Sequence, residues 1–241
     1  MNNSRKSNNT IDFNPEEMLV CYNKDFGMVE AYKSIRTNIM YSMPRSEGGK
    51  VIVITSSTAA EGKSTTSINL ALTFAQVNAK VLIIDCDLRK PKLHRYLRIE
   101  RKDGLSNVLC GFTELNNAIK VGVKENLDVL TSGEVPPNPA ELLQTEAFEM
   151  LLKELRKRYD YIIIDTPPVN IVTDAIFPIK LSDGMILLIR KDHTTYEMID
   201  QALEKINRTG ANLLGTILID NKENDNIGYY KKSRYGYRYK D

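Results

Sequence analysis

The chain has 241 residues, of which 42% are hydrophobic and 27% charged, a balance typical of one soluble globular domain. Its formal net charge of +2 gives no general attraction to nucleic acid. The three cysteines, Cys21, Cys86 and Cys110, fit neither a zinc-binding spacing nor a disulfide framework, as is typical of a reducing compartment. No apolar run approaches ~18 residues and the start lacks a signal peptide, so we expect any work at a membrane to depend on a partner.

The first periodic segment covers residues 26–43, after an Asn- and Ser-rich stretch that we expect to be loosely held. Apolar side chains recur there at helical spacing, which predicts an amphipathic helix. A second face carries Glu30, Lys33 and Arg36, each one helical step apart. On the residues alone, this face is either a solvated surface with an i,i+3 ion pair or a surface that docks against another subunit.

The strongest motif follows residues 51–54, which are apolar and mostly β-branched and therefore predict a buried strand. A polar loop of small residues comes next, and residues 68–75 favour a helix. A helix N-terminus offers unpaired N–H groups and partial positive charge to an anion. Lys63 adds a full positive charge, and the Ser64 hydroxyl is placed to bind Mg²⁺. This order predicts a phosphate-binding P-loop, although Ser57 stands where the pattern usually has glycine. The nucleotide-binding candidates are Ser57, Thr58, Ala59, Ala60, Glu61, Gly62, Lys63, Ser64 and Thr65.

Two further apolar segments end in acidic residues. Residues 80–84 run directly into Asp85 and Asp87, which an extended backbone would place on one side. Residues 161–164 run into Asp165 in the same way, which resembles the Walker B element that binds Mg²⁺. Because ligands bind at the carboxyl ends of parallel strands, these acids are candidates for a magnesium site, with a solvated loop start as the alternative for Asp85 and Asp87.

The remaining segments continue the alternation of helices and apolar strands. We expect short helices within 104–119, a strand at 127–130, a proline-rich loop at 132–139 and a helix over 140–157. A strand at 184–189, a helix at 195–207 and a last strand at 213–219 follow. The pattern predicts an α/β protein with a mostly parallel sheet and helices on both faces, in three α/β/α layers, formed by residues 1–220.

From residue 221 the character changes, and we expect residues 221–241 to form a flexible tail without a packed core. Basic residues are interleaved with a cluster of tyrosines, which consists of Tyr229, Tyr230, Tyr235, Tyr237 and Tyr239. The residues alone leave three interpretations open: a nucleic-acid-binding patch, a set of phosphorylation sites, or a chain end without a role.

Together these motifs resemble the cytoplasmic bacterial tyrosine kinases of capsular and exopolysaccharide synthesis, in the split form of Gram-positive bacteria. The resemblance covers nearly the whole chain and rests on the P-loop, on residues 81–91 with both acids, on residues 161–168 and on the tyrosine-rich tail. Residues 30–36 match the family's Glu-x-x-Arg-x-x-Arg subunit-contact motif at two of three positions, because Lys33 replaces the first arginine.

The resemblance implies a P-loop NTPase fold and transfer of a phosphoryl group from ATP, with Mg²⁺, to tyrosine. It implies that Lys63 and the P-loop hold the phosphates and that Ser64 and Asp165 hold the metal with one of the paired acids. Asp85 is the candidate for the metal and Asp87 the candidate to orient or deprotonate the incoming tyrosine, and the sequence leaves the opposite assignment of these two acids open. The five tail tyrosines would be autophosphorylated.

The resemblance also implies several partners. A ring of identical subunits would form through Glu30, Lys33 and Arg36. A cognate tyrosine phosphatase would reverse the tyrosine phosphorylation. The kinase would be cytoplasmic and recruited to the inner face of the membrane by the cytoplasmic segment of a membrane-anchored activator. It implies no direct nucleic-acid partner.

Two alternatives belong to other functional classes. Partitioning and septum-site ATPases share the expected fold, but they carry an extra lysine five residues before the P-loop lysine, where this chain has Thr58. A nucleic-acid-binding protein would use the basic tail, which is short and belongs to a chain of nearly balanced charge.

Overall fold

The computed structural model describes residues 18–22, 25–43 and 48–220. The tail tyrosines and the expected boundary at residue 221 lie outside the described residues. The described elements alternate as the apolar segments predict. In chain order they are α1 (Phe26–Ser42), β1 (Lys50–Ser56), α2 (Lys63–Ala75), β2 (Val81–Asp85), α3 (Leu93–Leu97), α4 (Leu105–Leu109), α5 (Leu115–Ala118), β3 (Lys120–Lys124), β4 (Leu127–Leu130), α6 (Pro139–Leu143), α7 (Glu146–Leu155), β5 (Tyr161–Asp165), α8 (Ile176–Leu181), β6 (Gly184–Arg190), α9 (Tyr196–Asn207) and β7 (Leu213–Ile219).

The seven described strands form one sheet in the order β3-β4-β2-β5-β1-β6-β7. Every neighbouring pair is parallel except β3 and β4. Parallel strands bring their carboxyl ends to one edge, and here that edge collects the ends of β1, β2 and β5, where the sequence predicts the site. The register places Asp85 directly beside Asp165 on neighbouring strands.

Helices cover both faces of the sheet, and successive strand residues point to opposite faces. Val51 and Val53 face the layer that contains α7, α8 and α9. Ile52 and Ile54 face the layer that contains α1 and α2. Two hydrophobic cores therefore enclose one sheet, and the expected three-layer α/β/α architecture is confirmed.

The single helix expected over residues 140–157 is wrong. The chain instead forms α6 and α7, and Thr145 between them adopts an extended conformation. The Thr145 hydroxyl donates to the carbonyl of Leu142 at 2.9 Å, a local hydrogen bond that competes with continued helical pairing. The break lets Leu143 of α6 and Phe148 of α7 both reach the core.

Three elements have no counterpart in the sequence analysis. The helices α3 and α8 span less than two turns, which is too short to show helical periodicity. The edge strand β3 has no fully buried residue and contains Gly122 at φ 66°, so it lacks the apolar alternation of a half-buried strand. Among the described residues, no helix has both the length and the apolar character to cross a bilayer.

A short segment before α1 is fixed to the P-loop helix by one buried amide. Asn69 is fully buried on α2, where its Oδ1 accepts from the N–H of Val20 and its Nδ2 donates to the carbonyl of Met18, both at 2.9 Å. Leu19 is buried in the same core. The chain is therefore packed against α2 before α1 begins.

Candidate active site

The P-loop connects β1 to α2, as the sequence predicts. Gly62 precedes the helix in the left-handed conformation at φ 85°, where a side chain would be strained, and no side chain caps the helix N-terminus. The first N–H groups of α2 are therefore free to bind an anion. A Cβ atom on Gly62 would lie 3.8 Å from Cγ1 of Ile219, so the end of β7 packs beside the P-loop.

Lys63 is largely buried at the start of α2. Its Nζ donates to the Ser56 hydroxyl at 3.1 Å. Burial lowers the pKa of Lys63, and the negative charges of Asp165, Asp87 and Glu61 partly oppose that effect. The ammonium group is thus held among carboxylates in a poorly solvated site, where an added phosphate would be bound strongly.

The connection between β6 and α9 braces the P-loop. The carboxylate of Glu61 is buried and accepts the N–H of Thr58 at 2.7 Å and the hydroxyl of Thr194. Arg190 Nη1 donates to the carbonyl of Ala60 at 2.9 Å. The Glu61 side chain therefore holds the P-loop in shape, while the membership of Glu61 in the nucleotide-binding loop stays a prediction.

Ser57, the unusual first residue of the P-loop, is also fully buried. Within the described part of the chain its hydroxyl has no hydrogen-bond partner, while its carbonyl accepts the N–H of Asn170 at 3.3 Å. The N–H of Val169 bonds in the same way to the carbonyl of Ser56 at 2.9 Å. These two bonds join the P-loop to the loop that follows Asp165. Six of the other candidates keep at least partial exposure: Thr58, Ala59, Ala60, Gly62, Ser64 and Thr65.

Asp165 and Asp85 form a buried carboxyl pair at the ends of β5 and β2. Burial raises the pKa of Asp165 to about 6, although hydrogen bonds from Ser64 and Ser67 and the charge of Lys63 lower it. Burial, together with the charges of Asp165 and Asp87, raises the pKa of Asp85 well above its ordinary value. Two carboxyl groups with so little solvent create a site that favours a cation.

This buried pair makes stability depend on pH. Unfolded Asp165 ionises near 3.8 and folded Asp165 near 6, so its favourable contribution is complete below about pH 4 and is lost as the pH rises through 6. We expect Asp165→Asn to be more stable than the wild type by about 2–3 kcal/mol above pH 6.5, and the difference to shrink toward pH 4. Urea unfolding in EDTA, without nucleotide, measures this difference in the free energy of unfolding at each pH.

The exposed Asp200→Asn variant controls for the loss of one carboxyl group on the surface of α9. A difference between Asp165→Asn and the wild type that stays constant from pH 4 to 7 would contradict the buried-pair assignment.

Asp87 differs from Asp85 in exposure and in its contacts. Asp85 is fully buried, and its two oxygens accept the N–H groups of Asp87 at 3.2 Å and Leu93 at 3.3 Å. Asp87 is partly exposed, and its Oδ1 accepts the N–H of Lys90 at 2.9 Å. The two acids therefore do not share one environment: Asp85 is enclosed and accepts two backbone N–H groups of the loop, whereas Asp87 is partly open to solvent.

A bidentate ion pair that the sequence analysis missed fixes the same loop. Arg89 donates to both oxygens of the buried Asp174, at 2.8 and 3.1 Å. It connects the segment after Asp87 with the segment after Asp165. No spacing rule links residues 85 positions apart, so only the fold brings them together.

The structure thus brings Lys63, Asp85, Asp87 and Asp165 to one edge, whereas Glu30, Lys33 and Arg36 lie elsewhere, on α1. Among the described residues, no preformed group of three or more His, Cys, Asp or Glu side chains can hold a metal by itself. Mg²⁺ usually binds through one or two carboxylates together with substrate phosphates, and the Ser64 hydroxyl with the carboxylates of Asp165 and Asp85 fits that donor chemistry.

The fold and this site define a P-loop nucleotide-binding α/β protein. The family model described as AAA domain matches residues 49–218. The chain is 39% identical over 201 residues to a putative tyrosine-protein kinase CapB of Staphylococcus aureus, covering 83% of this chain and 88% of that protein. It is 41% identical over 208 residues to the tyrosine-protein kinase YwqD of Bacillus subtilis, covering 86% and 85%. The chain belongs to this family of bacterial tyrosine-protein kinases.

Solved structures agree with this assignment. The chimerical protein CapA2B2 superposes with a TM-score of 0.79 at 38% identity, over 86% of this chain and 90% of that one. The septum site-determining protein MinD of Pyrococcus horikoshii, solved with Mg-ADP, gives 0.61 at 26% identity over 70% of each chain. The ATPase switches considered as an alternative are therefore more distant relatives that share the fold.

Proposed function

We propose that this kinase transfers the γ-phosphoryl group of ATP to tyrosine hydroxyls, including those of its own residues 221–241. The observation that carries the proposal is the convergence at one sheet edge of an uncapped helix N-terminus, the buried Lys63 and three carboxylates of different exposure. Such a site binds a charged phosphate chain with its metal and leaves one acid within reach of an incoming hydroxyl.

Each residue has a separate role in this mechanism. Lys63 and the N–H groups of α2 bind the phosphates. Ser64, Asp165 and Asp85 would hold Mg²⁺, which when bound neutralises charge on the phosphates. Asp87 accepts the proton of the tyrosine hydroxyl. The tyrosine oxygen forms a bond to the γ-phosphorus while the bond between that phosphorus and ADP breaks, and ADP leaves. The partial exposure of Asp87 supports this division, since Asp85 is enclosed.

The tail is the first expected substrate. Incubation with MgATP should phosphorylate Tyr229, Tyr230, Tyr235, Tyr237 and Tyr239, mainly between subunits. We expect mass spectrometry to find phosphate on these tyrosines in a Lys63→Met chain that was mixed with wild-type chain, because a segment of this length is long enough to reach a neighbour's site when extended. The Lys63→Met chain alone is the control.

Tail tyrosines without phosphate under every condition, with ATP hydrolysis intact, would instead favour the ATPase switch. The same assay tests two further parts of the proposal. Replacing Glu30 and Lys33 by alanine should slow labelling of the Lys63→Met chain, and adding the cytoplasmic segment of a membrane-anchored activator should accelerate it.

We also propose the cellular setting. The kinase regulates capsular or exopolysaccharide synthesis and export. It works in the cytoplasm at the inner face of the membrane beside its activator, and a cognate tyrosine phosphatase removes the phosphate groups that it adds. A ring forms through Glu30, Lys33 and Arg36. Glu30 and Lys33 pair with each other at 2.8 Å and remain about half exposed, so they are accessible to a second subunit, whereas Arg36 donates to the carbonyl of Thr73 in its own chain at 2.7 Å.

A further inference from the structure

A cleft with a volume of about 430 Å³ opens between α8 and α9, on the sheet face opposite the P-loop helix. Its apolar wall includes Val169, Val172 and Ile176. This volume is within the range of sites that enclose a small organic group. The mechanism proposed above does not use the cleft.

Three basic side chains and no acidic one line the cleft. Lys205 Nζ donates to the carbonyls of Val169 and Asn170, each at 3.2 Å, and these neutral acceptors leave its charge uncompensated. Arg208 pairs with Glu204, but both side chains are mostly exposed, so this i,i+4 pair contributes little and the guanidinium can turn to another anion. Lys180 is exposed at the rim.

An apolar wall beside three cations fits a ligand with an apolar body and a compact anionic end. A phosphorylated tyrosine has this form: the ring can lie on the apolar wall, and the phosphate carries roughly −1.5 to −2 charges with three acceptor oxygens. Charge-assisted hydrogen bonds from arginine and lysine to phosphate are among the stronger polar contacts in proteins.

The chain carries a source of such groups within reach. α9 ends at Asn207 beside the cleft, and β7 leads from there to Asp220, where residues 221–241 begin. A seven-residue strand spans about 23 Å, and the nine residues from Asp220 to Tyr229 can span about 30 Å when extended. A tail that folds back along β7 can therefore return to the cleft of its own chain.

Charge decides when the tail would bind. Residues 221–241 contain six basic and three acidic side chains, so the unmodified tail is repelled by the basic cleft. Two or three phosphates reverse the sign of the tail. We propose that the cleft between α8 and α9 binds phosphotyrosines of the chain's own tail. This inference rests on the proposed function, because that function supplies the phosphates by transfer from ATP.

The test uses a labelled synthetic peptide of residues 226–241 that carries phosphate on Tyr235 and Tyr237. Fluorescence anisotropy measures its binding to the full, dephosphorylated chain with saturating MgADP, which occupies the nucleotide site. We expect the phosphopeptide to bind at least about tenfold more tightly than the unmodified peptide. Lys180→Gln with Arg208→Gln should weaken phosphopeptide binding about tenfold. Lys153→Gln on α7 together with Arg158→Gln just after that helix removes the same charge and should change the binding less than about twofold.

A second measurement needs only the wild-type chain. Phenyl phosphate should displace the peptide at about fivefold lower concentration than inorganic phosphate, because only the former has a ring for the apolar wall. Equal weakening by the two variant pairs, or equal competition by the two anions, would overturn the proposal in favour of general charge attraction. A peptide with glutamate at both positions that binds as tightly would assign the cleft to acidic segments instead.

No ATP is present and the phosphates are synthetic, so these results do not depend on the chain's own catalysis. A phosphopeptide that fails to bind, when mass spectrometry shows phosphate on the tail, removes the cleft proposal and leaves the proposed function in place.

Discussion

Lys63→Met is expected to reduce tyrosine phosphorylation by at least about a thousandfold while the fold survives. The lysine ammonium lies at the N-terminus of α2 among carboxylates, where solvent poorly replaces its charge, and the proposed function uses that charge to bind the phosphates. Methionine has a similar length, and it also removes the cost of burying a cation. An anti-phosphotyrosine blot measures the activity, and circular dichroism with thermal unfolding confirms the fold.

The matched control is Lys80→Met, which removes an exposed lysine just before β2, at the opposite edge of the sheet. That variant should retain wild-type labelling. A folded Lys63→Met chain with undiminished activity would disprove the assignment of the P-loop.

Asp165→Asn is expected to lower the rate by about 10²–10³-fold and to raise the Mg²⁺ concentration that gives half-maximal activity. The amide is isosteric and can still accept the hydrogen bond that Ser67 donates to Oδ1 at 3.2 Å, so the packing should persist. The lost feature is the negative charge beside Ser64. Initial rates across an Mg²⁺ series, at fixed ATP, separate the effect on metal binding from the effect on turnover.

Asp200→Asn serves again as the comparison, because its carboxyl group is exposed on α9, away from the sheet edge. If Asp165→Asn required no more Mg²⁺ than Asp200→Asn, Asp165 would not be a metal ligand. Its expected gain in stability would then come from burial alone.

The buried strands and their polar ends could be predicted because both leave local signals. Residues 51–54 and 161–164 are apolar throughout, since both faces of a central parallel strand are covered. Lys63, Asp85 and Asp165 each follow such an apolar segment or its loop, so the sequence predicts that they lie close together. Their roles stay predictions, because position alone does not assign a ligand or a base.

The hydrogen bonds and the ion pair that hold the loops around the site could not be predicted, because they join residues that are far apart in sequence. The sequence places Glu61 in the P-loop but does not indicate where its side chain points, which depends on the contact with Thr194, 133 positions away. Arg89 and Asp174 pair for the same reason. The short helices α3 and α8 could not be predicted for a different reason, because they contain too few residues for a helical period to repeat.

The packing of Ile219 against Gly62 has a kinetic consequence. Asp220 follows Ile219 and is held by Lys191 at 2.9 Å, so residues 221–241 begin beside the phosphate-binding loop. A tethered segment acts at an effective concentration that is in the millimolar range for short linkers. In the proposed ring, a free protein substrate would compete with the tethered tyrosines of a neighbouring subunit, so we expect the tail to set a threshold of affinity that any external substrate has to exceed.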